Sequence, residues 1–167
     1  GAGVEMPFSL RDLYFLRAFD APEGQSRKMR ISLTPEAGGF SAALRSDCLL
    51  GDRAGWQMHA EAHVVTAPTA VKAIDLEQIS SRLGAVEEAN GAHMPTRQEA
   101  HLRFGPQWQV LRARQLGDGE GLARLLLETP LDAGQILHPG LMDLATGWAI
   151  DLATGYDGTD LWVPMSY

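Results

Sequence analysis

Asp143 stands in the run Leu137-His138-Pro139-Gly140-Leu141-Met142-Asp143, where a carboxyl group meets an apolar helical pattern. Pro139 suits the first position of a helix. Leu141, Met142, Ala145, Trp148, Ala149 and Leu152 then recur at helical spacing. A carboxyl in the first turn of such a helix meets two opposed influences. Burial among Leu, Met and Trp favours the form that carries a proton, whereas the helix N-terminus favours the carboxylate. The first form can donate a proton to a leaving group; the second only stabilises the helix dipole. Backbone N–H groups at a helix start can also polarise a carbonyl.

Asp143-Leu144-Ala145-Thr146-Gly147 recurs as Asp151-Leu152-Ala153-Thr154-Gly155. Eight residues make about 800° of helix, so the two carboxylates project within about 80° of each other. Asp151 falls near the helix end, where a carboxylate is mildly unfavourable, and reads as a solvated surface group.

The chain holds five histidines and one cysteine. His59 and His63 are four residues apart, which is metal-ligand spacing on a helix. Their segment reads as a strand, however, where that interval spans about 13 Å. No Asp-His-Glu cluster accompanies them, so both read as core or surface imidazoles. His93 and His101 fall in a linker and at a strand edge. Cys48 has no base beside it in sequence and reads as a small buried hydrophobe. A lone cysteine excludes an intrachain disulfide and a cysteine metal cage, and it fits a cytoplasmic setting.

Gly1-Ala2-Gly3 and Gly38-Gly39 are not phosphate loops, since neither is followed by Lys-Ser/Thr or set between a strand and a helix. There is no Gly-x-Ser-x-Gly element. With 167 residues, 45% hydrophobic and 21% charged, the composition is that of a globular domain. The net charge of −7 argues against a nucleic-acid binder or an anionic membrane surface as partner. No stretch reaches the roughly 18 apolar residues of a membrane span. The start lacks Met and a signal peptide's basic and apolar regions, so the chain reads as part of a longer polypeptide.

The elements that must position these residues read mostly as strands. Leu10–Leu16 is β-prone and is closed by Ala21-Pro22-Glu23-Gly24. In the stretch from Arg27 to Leu33, Met29, Ile31 and Leu33 share one face. Pro35 to Gly39 then punctuates, and Phe40–Ser46 and Trp56–Val65 extend an antiparallel meander. Ala67-Pro68-Thr69-Ala70 opens a polar linker that contains a short helix from Asp75, with Leu76, Ile79 and Leu83 on one face. Asn90-Gly91-Ala92 marks a turn. Strands resume at Glu99–Phe104, Trp108–Gln115 and Glu120–Glu128, with Gly117-Asp118-Gly119 as a hairpin turn. Leu161–Tyr167 starts a further strand.

Several of these segments, in order, resemble the dehydratase domains of modular polyketide synthases. Leu10-Arg11-Asp12-Leu13-Tyr14-Phe15-Leu16-Arg17 resembles the strand after that family's first central helix. Trp56-Gln57-Met58-His59-Ala60-Glu61-Ala62-His63-Val64 resembles the last strand of its first half. Leu102-Arg103-Phe104-Gly105-Pro106-Gln107-Trp108 is similar to its Tyr-Gly-Pro-x-Phe signature. Leu137 to Asp143 resembles its His-Pro-Ala-Leu-Leu-Asp helix start, and Leu161–Tyr167 its following strand.

The resemblance implies an α+β double hotdog, in which two antiparallel sheets each wrap a central helix. Residues 1–66 would be part of the first hotdog, 67–97 a linker and 98–167 part of the second. It implies dehydration of a 3-hydroxyacyl thioester on acyl carrier protein to the enoyl thioester, with Asp143 as catalytic acid. Phe104, Gly105, Pro106, Trp108, His138, Pro139 and Gly147 would contact substrate. It implies no metal and no diffusible cofactor, the substrate being carried on phosphopantetheine, and a homodimer beside neighbouring synthase domains in the cytoplasm. The family's base, the histidine of a His-x-x-x-Gly-x-x-x-x-Pro motif, would fall before Gly1. The family also places Gln or His four residues after the aspartate, where this chain has Gly147. Both departures suit an alternative, a non-catalytic hotdog module for acyl-carrier binding or dimerisation. A double-bond isomerase or product-template cyclase is a further alternative on the same fold.

Overall fold

The computed structural model describes residues 8–66, 72–91, 93–128, 131, 135 and 137–167. Ala67-Pro68-Thr69-Ala70 and Ala92 lie outside the described residues. The chain divides into two compact units, one running to Lys72 and including Val163–Tyr167, the other Ala73–Trp162.

The first unit is an antiparallel sheet of β1 (Ser9–Phe15), β2 (Met29–Glu36), β3 (Gly39–Leu50) and β4 (Arg53–Val65), in the order β1-β4-β3-β2. β2 and β3 are joined at Ala37-Gly38, where Gly38 has φ +84°, a conformation that suits glycine. The expected break at Pro35 comes two residues later: Pro35 pairs with Phe40 inside β2. A proline is tolerated there because β2 is an edge strand and its nitrogen need not donate. Met29, Ile31 and Leu33 do share a face, and all three are exposed. Residues 163–167 run beside β1: Leu13 N–H donates to the Tyr167 carbonyl at 3.0 Å and Phe15 N–H to that of Met165 at 2.9 Å. Only the bridge Tyr14–Ser166 forms, so this segment is shorter than the expected strand.

Ala60, Ala62 and Val64 on β4 are buried in this unit, as are the polar Ser46 and His59, which the half-buried Arg27 joins. Arg27 Nη2 donates to Ser46 Oγ at 2.9 Å, and Ser46 Oγ lies 2.8 Å from His59 Nε2. His59 Nδ1 lies 3.1 Å from the Arg17 carbonyl, so Nδ1 carries the proton and Nε2 accepts from the serine hydroxyl. His63 is exposed and pairs instead with Glu36. That hydrogen bond and the carboxylate's charge raise the His63 pKa above its ordinary value. The two histidines thus serve separate partners. Cys48, read from sequence as buried, is half-buried in β3.

The second unit holds a three-stranded antiparallel sheet, β5 (Glu87–Glu88), β6 (Leu111–Leu116) and β7 (Gly121–Leu125), in that order. Gly117-Asp118-Gly119 does make the β6–β7 turn, with Gly117 N–H on the Glu120 carbonyl at 2.9 Å. Among the described residues two α-helices accompany the sheet, α1 (Leu76–Ser80) and α2 (Pro139–Gly147). Asp75 caps α1, its Oδ1 accepting from Gln78 N at 3.0 Å. Within the stretch 67–97, Gly84 and Ala89 donate to the carbonyls of Leu116 and Arg112, and Met94 to that of Leu111. Leu111, Val110, Ala113, Leu144 and Tyr156 are buried.

The expected strand Glu99–Phe104 is corrected: Arg97–Ala100 forms a 3-10 turn instead. Thr96 N–H donates to Glu99 Oε1 at 2.9 Å, the reach-back of a T-x-x-E helix start. Two neighbouring expectations shift for a similar reason. Pro106–Trp108 is also a 3-10 turn, so β6 begins at Leu111 rather than at Trp108. The helical pattern from Leu141 to Leu152 is real, but it passes from α-helix to 3-10 helix at Trp148.

Candidate active site

His138 caps the start of α2, its Nδ1 accepting from Gly140 N at 3.1 Å. The histidine is 5% exposed and therefore caps the helix from a buried position. Pro139 follows as the first helical residue, where its missing N–H costs nothing. Gly140 comes next for a steric reason. A Cβ built on it would stand 2.3 Å from the backbone oxygen of Gln107, so the helix start rests directly on the Pro106–Trp108 turn. That turn closes with Trp108 N–H on the Gly105 carbonyl at 3.0 Å. Gly105 and Pro106 are exposed, and Phe104 and Trp108 are half-buried.

The turn delivers Trp108 to Asp143, and the indole Nε1–H donates to Asp143 Oδ2 at 2.8 Å. Of the residues expected to contact substrate, Trp108 is thus in direct contact with the candidate acid. Pro106 and Gln107 also line a cleft of about 320 Å³ with Gln109, Val110, Arg112 and Leu126.

Two expectations about Asp143 are corrected. It is the fifth residue of α2 and not in its first turn, and the helix-end field falls off within that turn. Dipole stabilisation is therefore not its role. It is also exposed in this chain rather than buried among Leu, Met and Trp, because Leu144 takes the inward position of the helix and Met142 faces outward.

Asp151, expected to be solvated, is corrected too. Its side chain is 11% exposed and sits between two guanidiniums, Arg114 Nη1 at 2.7 Å and Arg97 Nε at 3.1 Å. Burial disfavours the Arg114 cation, but the hydrogen bonds and charges of Glu87 and Asp151 outweigh it and raise its pKa. The carboxylates of the repeat are told apart by their partners. Asp143 is held by a neutral donor, and Asp151 fastens β6 to the turn after α2.

Gly147 has its own neighbour. A Cβ there would lie 3.1 Å from Gln98 Oε1. Gln98 is 7% exposed, and its Nε2 donates to the Trp162 carbonyl at 3.1 Å. Sequence reasoning missed Gln98 because Glu99–Phe104 read as a strand; the spacing of Thr96 and Glu99 was the signal that places it on a helical turn. His93 lies 3.6 Å from Glu99, and His101 Nε2 lies 3.0 Å from the Gly158 carbonyl.

The model of the family described as polyketide synthase dehydratase N-terminal domain matches residues 84–167. Several solved dehydratases share the fold. The dehydratase domain from the CurF module of curacin polyketide synthase is 19% identical with a TM-score of 0.78, over 95% of this chain and 58% of its own. An inactive mutant of CurJ dehydratase, solved in complex with a compound, is 24% identical with a TM-score of 0.76, over 95% and 56%. The dehydratase domain from the CurH module is 22% identical with a TM-score of 0.75, over 98% and 59%. The chain is thus an α+β, hotdog-like fold of antiparallel sheets with few helices, and it spans under two thirds of the length of these structures. No curated protein matches the sequence. Among the described residues no helix is long and apolar enough to cross a membrane.

Proposed function

Because the chain belongs to the polyketide synthase dehydratase family, we propose that it takes part in dehydrating a 3-hydroxyacyl thioester to an enoyl thioester, with Asp143 as proton donor. The observation that carries this reading is the hydrogen bond from Trp108 Nε1 to Asp143 Oδ2. A donor on Oδ2 leaves Oδ1 as the oxygen that bears a transferable proton. In the elimination a base removes the α-proton and the electron pair forms the double bond. The bond from the β-carbon to oxygen breaks, and Asp143 protonates the departing hydroxide so that it leaves as water.

The remainder of the reading follows the family. The fold is a double hotdog, with residues 1–66 in the first hotdog, 67–97 as linker and 98–167 in the second. The substrate rides on the phosphopantetheine of an acyl carrier protein. Phe104, Gly105, Pro106, Trp108, His138, Pro139 and Gly147 contact it. The protein works as a homodimer among neighbouring synthase domains in the cytoplasm. Since the chain spans little more than half of the solved dehydratases it matches, the reaction is proposed for the polypeptide that carries it, base included.

A second reading, a non-catalytic module that binds an acyl carrier, is favoured by Gly147, which stands where the family pattern carries Gln or His. Incubation of the complete natural polypeptide with a 3-hydroxyacyl pantetheine thioester separates the readings by mass spectrometry. Loss of one water with a conjugated enoyl product supports dehydration. Unchanged substrate favours the module, and a displaced double bond favours an isomerase.

A further inference from the structure

We infer that Gln98 is a positioning residue for the Asp143 carboxyl, acting through the last turn of α2. This rests on the reading of Asp143 as the acid. Gly147 lies four residues, about one helical turn, beyond Asp143, so a side chain there would share its face. Glycine supplies none. The space is filled from another element: Gln98 presents its Oε1 where a Cβ of Gly147 would point, at 3.1 Å. Its other end is anchored by Nε2 on the Trp162 carbonyl at 3.1 Å.

The geometry at the start of the helix is complementary. Gly140 and Gly147 are seven residues apart, about two turns, and so lie on one face with Asp143 between them. At Gly140 the same 98–108 segment meets the helix through the Gln107 carbonyl, 2.3 Å from where a Cβ would be. That segment also carries Trp108, which holds the carboxyl itself. Rotating or sliding α2 drives Gly140 into the Gln107 backbone or Gly147 into the Gln98 amide. The two contacts therefore restrict the direction in which Asp143 points, and misplacing a reacting group by about 1 Å can cost on the order of 100-fold in rate.

The test uses the complete natural polypeptide and a 3-hydroxyacyl pantetheine thioester. Gln98→Ala is expected to lower kcat by on the order of tenfold while leaving KM unchanged, the split that marks an interaction used in the transition state. Gln98→Ala/Gly147→Gln moves the amide onto α2 and is expected to recover most of that kcat. Should Gln98→Ala fail to fold, Gly147→Ala presses on Gln98 Oε1 alone and is expected to lower kcat at unchanged Tm. Wild-type kcat in Gln98→Ala, or a loss that the amide transfer does not restore, overturns the inference if Asp143→Asn is inactive. Full turnover by Asp143→Asn overturns the reading beneath it as well.

Discussion

The Trp108 indole N–H donates to Asp143 Oδ2 at 2.8 Å across an interval of 35 residues. It joins a 3-10 turn to the middle of α2, and it is the contact that separates Asp143 from an ordinary surface aspartate. Trp108→Phe keeps an aromatic ring and removes the donor. We expect kcat for the 3-hydroxyacyl thioester to fall roughly tenfold, equivalent to about 1.4 kcal/mol, with the fold retained. Steady-state kinetics beside a circular dichroism spectrum checks it, and an unchanged kcat counts against this contact.

Gly140→Ala places a methyl group 2.3 Å from the Gln107 oxygen, and the obstacle is backbone that cannot swing aside. The helix start has to shift, at a cost of about 1–3 kcal/mol. Urea unfolding of the two proteins measures it. The outcome is informative because the family pattern that this segment resembles carries alanine at the position. A neutral effect would show that α2 can sit further from the turn than it does here.

What could be read from sequence, and what could not, follows from how local each signal is. The start of α2 was legible because Pro139 and the apolar spacing after it are local. The β6–β7 turn was legible for the same reason. Trp108 was named as a substrate contact, but its bond to Asp143 was not, since no local pattern links positions so far apart. Asp151 read as solvated because its partners Arg97 and Arg114 come from other elements. Its resemblance to Asp143 in the five-residue repeat hid opposite surroundings. Exposure of Asp143 was also invisible: apolar neighbours in sequence are not neighbours in packing when Leu144 turns inward and Met142 outward. Pro35 misled because an edge strand accepts a proline that a central strand would not.

Ser46→Ala removes the hydroxyl that links Arg27 to His59 at a site with 0% exposure. The buried His59 and the half-buried Arg27 then each lose a partner, at a cost of about 1–3 kcal/mol. Ser46→Thr keeps the hydroxyl and is expected to retain more of the stability. Equal stability of the alanine variant and the wild type would show that the network is dispensable.

His63 should titrate above the ordinary histidine range, since the Glu36 hydrogen bond and charge raise its pKa. Stability from this pair is therefore fully present below the unfolded-state value and is lost as pH rises through the folded value. An NMR titration of the imidazole resolves the shift, and Glu36→Gln should return the midpoint towards 6.5, the unperturbed value. An unmoved midpoint in Glu36→Gln contradicts the assignment.

Asp143 as proton donor is tested most directly by turnover of a 3-hydroxyacyl pantetheine thioester by the complete natural polypeptide carrying Asp143→Asn. This change keeps the shape and the bond from Trp108 but removes the acidic proton. Enoyl product is expected to disappear while the circular dichroism spectrum and Tm stay as in the wild type. Undiminished dehydration by Asp143→Asn contradicts that role.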